Sequence, residues 1–448
     1  MNNRQEQKFI RMTTEPVGRL VCEMAVPTII SMMVTAIYNM ADTFFVGQLQ
    51  SNSATGAIGV AFSLMTVMQA IGFFFGQGSG NYISRQLGKH KTEDAEIMAA
   101  SGAAYAFLAG VAVLALGQLF LVPLCRLLGA TETILPYACD YLRFILIGAP
   151  YMIASFVLNN QLRFQGSALN GMIGIATGAL VNIALDPLLI FGFGMGVMGA
   201  AVATIVSQLL SFCLLLYGTM RPGNVPFRLK NIRFSGAIFV QICKGGFPSL
   251  LRQGLMSVAT ICLNRAAGVY GDAAIAAMSV VSRAMGMAQS ALIGFGQGFQ
   301  PVCGFNYGAR RFDRVKAAFA FCVRTATIGL VILAVIGFAF APQIIAVFRD
   351  DPEVVAFGTT AMRIQCVTFA LGGLVMIGNM MTQTMGKTAQ ASVLAAARQG
   401  LFFIPSVLIL PRFLGPLGVQ LSQSVSDTLA FLLALPLVIS VLHGLNKE

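Results

Sequence analysis

The sequence predicts an all-α polytopic membrane protein: twelve transmembrane helices in two pseudo-symmetric six-helix lobes with a central cavity. Three observations carry that expectation. Hydrophobic residues fill 56% of the 448 positions and charged residues only 10%, against roughly a quarter charged in soluble domains. Apolar windows of the ~20 residues needed to cross a bilayer recur from one end of the chain to the other. Local patterns of the first half return in the second at a nearly constant offset. A chain so apolar cannot cover itself with polar surface in water, so lipid is its solvent.

The windows fall at 18–47, 55–80, 96–119, 134–157, 168–192, 197–220, 238–269, 275–300, 316–341, 356–381, 389–411 and 417–442. Pro27 lies inside the first, where its missing N–H and ring clash predict a bend. The segment before that window is polar, with Arg4, Lys8 and Arg11, and shows neither a signal-peptide pattern nor a lipidation motif. The net charge of +12 is distributed as loop clusters and does not suggest nucleic acid. With the N-terminus inside, the inner segments collect Arg85, Lys89, Lys91, Arg163, Arg221, Arg228, Arg310, Arg311 and others, and the outer ones only Arg126, Arg349 and Arg412. That bias places both termini in the cytoplasm.

The nine cysteines are scattered singly without a CxxC pair, which suits packing better than a disulfide framework or zinc. His90 and His443 lie in polar stretches, so histidine chemistry within the membrane is excluded. No GxxxxGK[ST] occurs, so nucleotide binding has no support.

The repeat is specific. Gly76-Gln77-Gly78 returns as Gly296-Gln297-Gly298, Gly88 as Gly308, Gly166 as Gly386, Gly196 as Gly415, and Pro27 as Pro248. Six helices per half is an even number, so both halves insert the same way up, related by an axis along the membrane normal. The domain reading is a lobe at 1–220, a basic cytoplasmic linker at 221–244 and a lobe at 245–448. Two similar bodies can rock about a shared cavity, although architecture alone does not fix function.

Acidic residues are sparse in the spans. Asp42 lies late in the first, and Asp186 lies in the fifth within Asn182-Ile183-Ala184-Leu185-Asp186-Pro187. A carboxylate at membrane depth costs about 2.5–3.5 kcal/mol or more, so each is a functional candidate. Asn182 and Asp186 are i and i+4 on one helical face, as are Tyr38 and Asp42. Pro187 cannot bond the Ile183 carbonyl, which frees an oxygen near Asp186. Carboxylate, amide and carbonyl oxygens suit sodium, and two nearby carboxylates equally suit a proton. Pairing with an arginine or capping of a broken helix is the structural alternative. Arg252, Arg265, Arg283, Arg363 and Arg398 fall in or near second-half spans, where they either snorkel or meet anionic groups. Asp272 and Asp427 read as terminal and structural. Phe and Met residues mostly pack or face lipid, and a subset could give a deformable cavity wall.

Pro27 with Tyr38 to Gly47, Asn182 to Pro187, Gly199 to Thr204 and the run Gly294 to Tyr307 together resemble the multidrug and toxic compound extrusion (MATE) family, in its MepA-like bacterial branch. The resemblance covers nearly the whole chain. It implies an antiporter in the cell membrane, not an enzyme, that exports amphipathic, often cationic compounds by alternating access in exchange for H+ or Na+. It implies no cofactor, no metal beyond a possible sodium, no nucleotide and a functional monomer. The coupling-ion positions it matches are Asp42, Asn182, Asp186 and Thr204. The cavity and gating positions are Pro27, Tyr38, Tyr141 and Asn159; Thr204 and Tyr141 come from the resemblance alone. One departure stands out. A vibrio-type branch carries an acidic residue soon after the proline of the seventh helix, where this chain reads Pro248-Ser249-Leu250-Leu251-Arg252, and the tenth helix offers no carboxylate. Coupling is therefore expected in the first lobe. The alternative is a flippase for lipid-linked or anionic substrates that relies on the second-half arginines.

Overall fold

The computed structural model describes residues 3–47 and 52–445, and within them the side chains at 3, 39–40, 42–43, 46–47 and 52–55 lie outside the described residues. The described residues contain helices and no strand. In the first half these are α1 (Asn3–Thr14), α2 (Val17–Gly47), α3 (Asn52–Gly88), α4 (Thr92–Leu119), α5 (Leu121–Leu127), α6 (Leu135–Phe164), α7 (Ala168–Pro187) and α8 (Gly196–Met220). The second half has α9 (Gly236–Gly268), α10 (Asp272–Gly308), α11 (Phe312–Ala339), α12 (Ala341–Phe348), α13 (Pro352–Phe369), α14 (Gly372–Thr384), α15 (Thr388–Ala396), α16 (Ile404–Leu414) and α17 (Pro416–Gly444). Two π-helical turns, Leu188–Gly192 and Ala397–Phe403, follow α7 and α15.

Each apolar window of the sequence falls on these helices, the windows at 356–381 and 389–411 on two consecutive helices each. Among the described residues nine helices are long and apolar enough to cross a membrane, ten when α13 and α14, bent by 55°, count as one broken span. The windows at 238–269 and 275–300 are the two outside that set. Their helices, α9 and α10, are 33 and 37 residues long, ample to cross at 1.5 Å per residue. They are more polar because Lys244, Arg252 and Arg265 sit on one and Asp272 and Arg283 on the other. The protein is thus an all-α polytopic membrane protein.

The repeat extends to backbone detail. His90 and Arg310 both adopt left-handed backbone, φ 59° and 57°, at the same turn of each half. Gly166 and Gly386 do so at 76° and 81°, and Gly196 and Gly415 at 57° and 61°. The short helices α5 and α12 start at matching positions. A β-carbon costs energy in that region, which explains the glycines at two of the four repeated positions read from the sequence, Gly166/Gly386 and Gly196/Gly415.

The chain divides into two compact units. One comprises α1 with Val26–Gly246, the other Glu15–Ala25 with Phe247 onward. Both divisions fall just before a proline of the repeat, Pro27 in α2 and Pro248 in α9. In the first unit, a β-carbon at Gly78 would overlap the Ile242 carbonyl oxygen, and one at Gly246 would overlap that of Phe74. In the second, a β-carbon at Gly298 would overlap the Ala25 backbone. The repeated Gly-Gln-Gly is therefore a packing seat for the opening turns of a helix, not a phosphate loop.

Two elements depart from the sequence expectation. The polar N-terminus is the amphipathic helix α1, docked on the first unit. Its Lys8 Nζ donates to Ser167 Oγ and Asn224 Oδ1, both at 2.8 Å. Arg163, assigned to a loop, is instead 2% exposed inside α6, bonded through Nη2 to Asn160 Oδ1 at 2.7 Å and stacked over Phe164.

Candidate functional site

The polar centre of the first unit is built by one face of α7. Gly171, Gly174 and Gly178 recur at i, i+3 and i+7, and the same face continues into Asn182 and Asp186; all five are buried. Without side chains, the glycines let α8 approach closely: a β-carbon at Gly178 would lie 2.8 Å from Ser211 Cβ and 3.1 Å from the Ser207 carbonyl. Gly199 is similarly set against Leu189, 2.9 Å from its carbonyl oxygen. This approach brings Thr204 of α8 opposite Asn182. Pro187 ends α7, and the chain continues as a π-helical turn in which Phe193 N–H bonds the Leu188 carbonyl at 3.0 Å. π turns interrupt the regular ladder and recur at functional positions.

Asn182, Asp186 and Thr204 are each fully buried. Asn182 Nδ2 donates to Asp186 Oδ1 at 3.5 Å and to Thr204 Oγ1 at 3.4 Å, both at the weak limit of hydrogen bonding. The Ser207 hydroxyl bonds the Thr204 carbonyl at 3.0 Å. Asn182 Oδ1 has no hydrogen-bond partner among the described residues. A buried carbonyl left unbonded costs about 1–3 kcal/mol and calls for an explanation. An oxygen of that kind beside a carboxylate and a hydroxyl forms a donor set that a small hard cation would complete.

Beside this centre lies a cavity of ≈ 60 Å³, walled by Thr35 and Tyr38 of α2, Gln69 of α3, Ser155 of α6, Ala179 of α7 and Ser207 of α8, among others. At ~10–15 Å³ per water it has room for a few water molecules. Ser207 touches both the cavity and the Thr204 carbonyl, and Ala179 is one turn from Asn182, so the cavity reaches the edge of the cluster.

The other sequence-stated positions are spread around it. Tyr38 lines the cavity and is 5% exposed. Tyr141 is fully buried in α6 and is not part of the cavity wall. Asn159 packs against Gly171, 2.6 Å from a β-carbon built there, and so lies about 16 Å along α7 from Asn182. Pro27 is buried within α2, which runs unbroken through it; Ser31 bonds the Pro27 carbonyl at 2.9 Å and Thr35 that of Ser31 at 2.8 Å. The Asp42 side chain lies outside the described residues.

The second unit has a polar centre that sequence reasoning missed. Arg398, in the Ala397–Phe403 turn, pairs with Asp427 of α17 at 2.7 Å, the two side chains being 19% and 2% exposed. Arg398 Nη1 also donates to Gln289 Oε1 at 3.0 Å, and Gln423 donates to Asp427 Oδ1 at 2.8 Å. Asp427 is therefore buried within its helix and not terminal. Arg265, Arg283 and Arg363 are exposed. Arg363 donates to the Phe338 carbonyl at 3.2 Å and lies over its ring. Asp427 stands eleven residues into α17, a depth that was the available signal; its partner, 29 residues away on another helix, gave none.

Comparison with known proteins identifies the family and the fold. Residues 27–188 and 248–408 match the MatE family, one copy in each half. The multidrug export protein MepA of Staphylococcus saprophyticus is 28% identical over 92% of both chains. MepA of Staphylococcus haemolyticus is 26% identical over 99% of this chain and 98% of its own. Among solved structures, a MATE protein in complex with MaL6 superposes with a TM-score of 0.93 at 24% identity, over 98% of this chain and 99% of that one. An outward-facing multidrug resistance MATE family transporter gives 0.92 at 24% identity over the same shares.

Proposed function

The chain belongs to the MatE family and is a multi-pass membrane multidrug efflux transporter, not an enzyme, and we propose that it works as a cation-coupled antiporter of amphipathic organic compounds. The observation that carries this is Asn182 Oδ1, without a hydrogen-bond partner among the described residues and buried beside Asp186 and Thr204, close to a cavity lined by Tyr38, Ala179 and Ser207. In this reading Asp186 supplies the charge, Asn182 and Thr204 supply neutral oxygens, and Asp42 joins them as a second carboxylate. The coupling ion is H+ or Na+. Tyr38 faces substrate, while Tyr141, Asn159 and Pro27 support the cavity wall and the movement of α2.

Coupling follows from exclusive occupancy. Cation at Asp186 and substrate in the adjoining cavity would favour opposite-facing states, so each drives release of the other. Lobes at 1–220 and 245–448, joined by the linker 221–244, would move as the alternating bodies. The protein would act as a monomer in the cell membrane with both termini cytoplasmic, without cofactor or nucleotide.

The test is dye efflux in proteoliposomes with sodium and pH gradients imposed separately. One gradient should drive efflux, and Asp186→Asn and Asp42→Asn should each reduce the driven rate about tenfold or more, the equivalent of ~1.4 kcal/mol. Undiminished efflux in either variant would remove that carboxylate from the coupling site.

A further inference from the structure

Among the described residues, Arg252 is a half-buried cation of the second unit with no ion-pair partner. Arg252 lies halfway along α9 (Gly236–Gly268) and is half-buried. Among the described residues its guanidinium makes a single hydrogen bond, Nη1 to Asn379 Oδ1 at 3.0 Å, and it has no ion-pair partner. Asn379, itself 2% exposed, is held by its own donation to the Ala391 carbonyl at 2.6 Å, which fixes Oδ1 toward Arg252.

Comparison with Arg398 shows why this is unusual. Both arginines are partly buried within the same unit. Arg398 is neutralised by Asp427 and further bonded to Gln289. Arg252 has no such partner among the described residues, where one of the five N–H donors a guanidinium carries is used. The two are near neighbours in the fold: Leu255, one turn beyond Arg252, packs on Gly400, two residues beyond Arg398, with a β-carbon at Gly400 falling 2.6 Å from Leu255 Cδ1. A guanidinium that served only to tie helices together would be satisfied as Arg398 is. One left with open donors in a membrane-spanning helix invites an anion, and its planar fork matches the two oxygens of a carboxylate.

We propose that Arg252, oriented by Asn379, is an oxyanion-binding site that takes the carboxylate end of an amphipathic small molecule. This deepens the exporter reading above by naming a substrate class, zwitterionic or anionic amphiphiles, that Asp186 in the first unit would not itself attract.

The experiment uses the purified full chain in detergent and two dyes that share one ring system: rhodamine B, which carries a free carboxylate, and its ethyl ester, which does not. Binding is read by fluorescence anisotropy. In Arg252→Gln the Kd ratio of acid to ester should rise about tenfold or more. Asn379→Asp, which keeps the guanidinium but hands it a counter-charge, should produce the same rise, and Arg252→Lys a smaller one. An unchanged ratio in either of the first two variants, including equal weakening of both dyes, overturns the proposal. Displacement of rhodamine B from the wild-type chain by phosphatidylglycerol, with no Arg252-dependent acid preference in its absence, assigns the guanidinium to a lipid headgroup and also overturns it. Efflux from vesicles is scored separately. An Arg252-dependent preference in a chain that exports neither dye sinks the exporter reading and leaves the site standing. Export of the ester without that preference does the reverse.

Discussion

The two units answer the same problem, a buried carboxylate at membrane depth, in different ways. In the first, Asp186 accepts from the Asn182 amide at 3.5 Å, the same amide donates to the Thr204 hydroxyl at 3.4 Å, and the Asn182 oxygen is left over among the described residues. In the second, Asp427 is closed by a guanidinium at 2.7 Å and an amide at 2.8 Å. A carboxylate that already holds an arginine tightly has little left to offer an exchangeable ion. The loose set retains that capacity. Duplication has preserved the helices, turns and glycine seats while the two centres diverged in charge, so the fold is symmetric where packing sets it and asymmetric where chemistry does.

The sharpest way to break this comparison is to treat the two aspartates alike. Asp427→Asn leaves Arg398 buried without its counter-charge, which costs about 3–5 kcal/mol. Chemical denaturation of the purified chain should register it as a marked loss of stability. Replacing both partners, Arg398→Met with Asp427→Leu, should recover most of the loss, because an apolar pair of similar volume needs no desolvated charges. Asp186→Asn, by contrast, should act on driven efflux with little change in stability. If Asp427→Asn instead leaves stability intact and abolishes efflux, the second acid is part of the coupling machinery and the contrast between the units is lost.

A smaller effect tests the part of the comparison that is symmetric. Gly298→Ala would drive a methyl into the Ala25 backbone and Gly78→Ala into the Ile242 carbonyl. Overpacking of this kind costs about 1–3 kcal/mol, and the two variants should lose similar amounts. Gly329, inside α11 with nothing within 4 Å of a β-carbon, is the control. Its change to Ala should gain about 0.5–1 kcal/mol from helix propensity alone. Unequal losses at Gly78 and Gly298 would show that the repeated seats are not equivalent.

How far the molecule could be read from its sequence follows the same division. Helices and turns were legible because lipid solvent imposes long apolar windows and because left-handed turns select glycine, as at Gly166 and Gly386. The Asn182–Asp186 face was legible because i and i+4 spacing is local. Thr204 was not, since its approach depends on the glycine stripe of α7 admitting α8, and it entered only through family resemblance. The Arg398–Asp427 pair was invisible for a related reason: partners on separate helices leave no periodic signature. Arg163 was misassigned because a terminal turn of a helix rich in polar residues reads like a loop, and α1 was passed over because a polar amphipathic helix lacks the apolar run that marks a span.

That helix supplies the last and smallest contrast. α1 packs on the first unit, and so does the linker around Leu229–Asn231, where Asn231 bonds Glu96 at 3.0 Å. The first unit thus carries the segments that lead into both halves. The hold on α1 depends on Lys8, whose ammonium donates to Ser167 and Asn224 in a largely desolvated position. Burial, helped by the nearby Arg11 charge, lowers its pKa from 10.5 to about 8. The docked helix therefore binds fewer protons than the released one between those values, and docking must strengthen as pH rises from about 8 toward 10.5. Below pH 8 lysine is charged in both states and the dependence vanishes. Hydrogen exchange across residues 3–14, corrected for intrinsic rates, should show protection increasing over that upper range in the wild-type chain and flat in Lys8→Met. A flat profile in both, or protection that falls as pH rises, would show that the ammonium is not what α1 desolvates on docking.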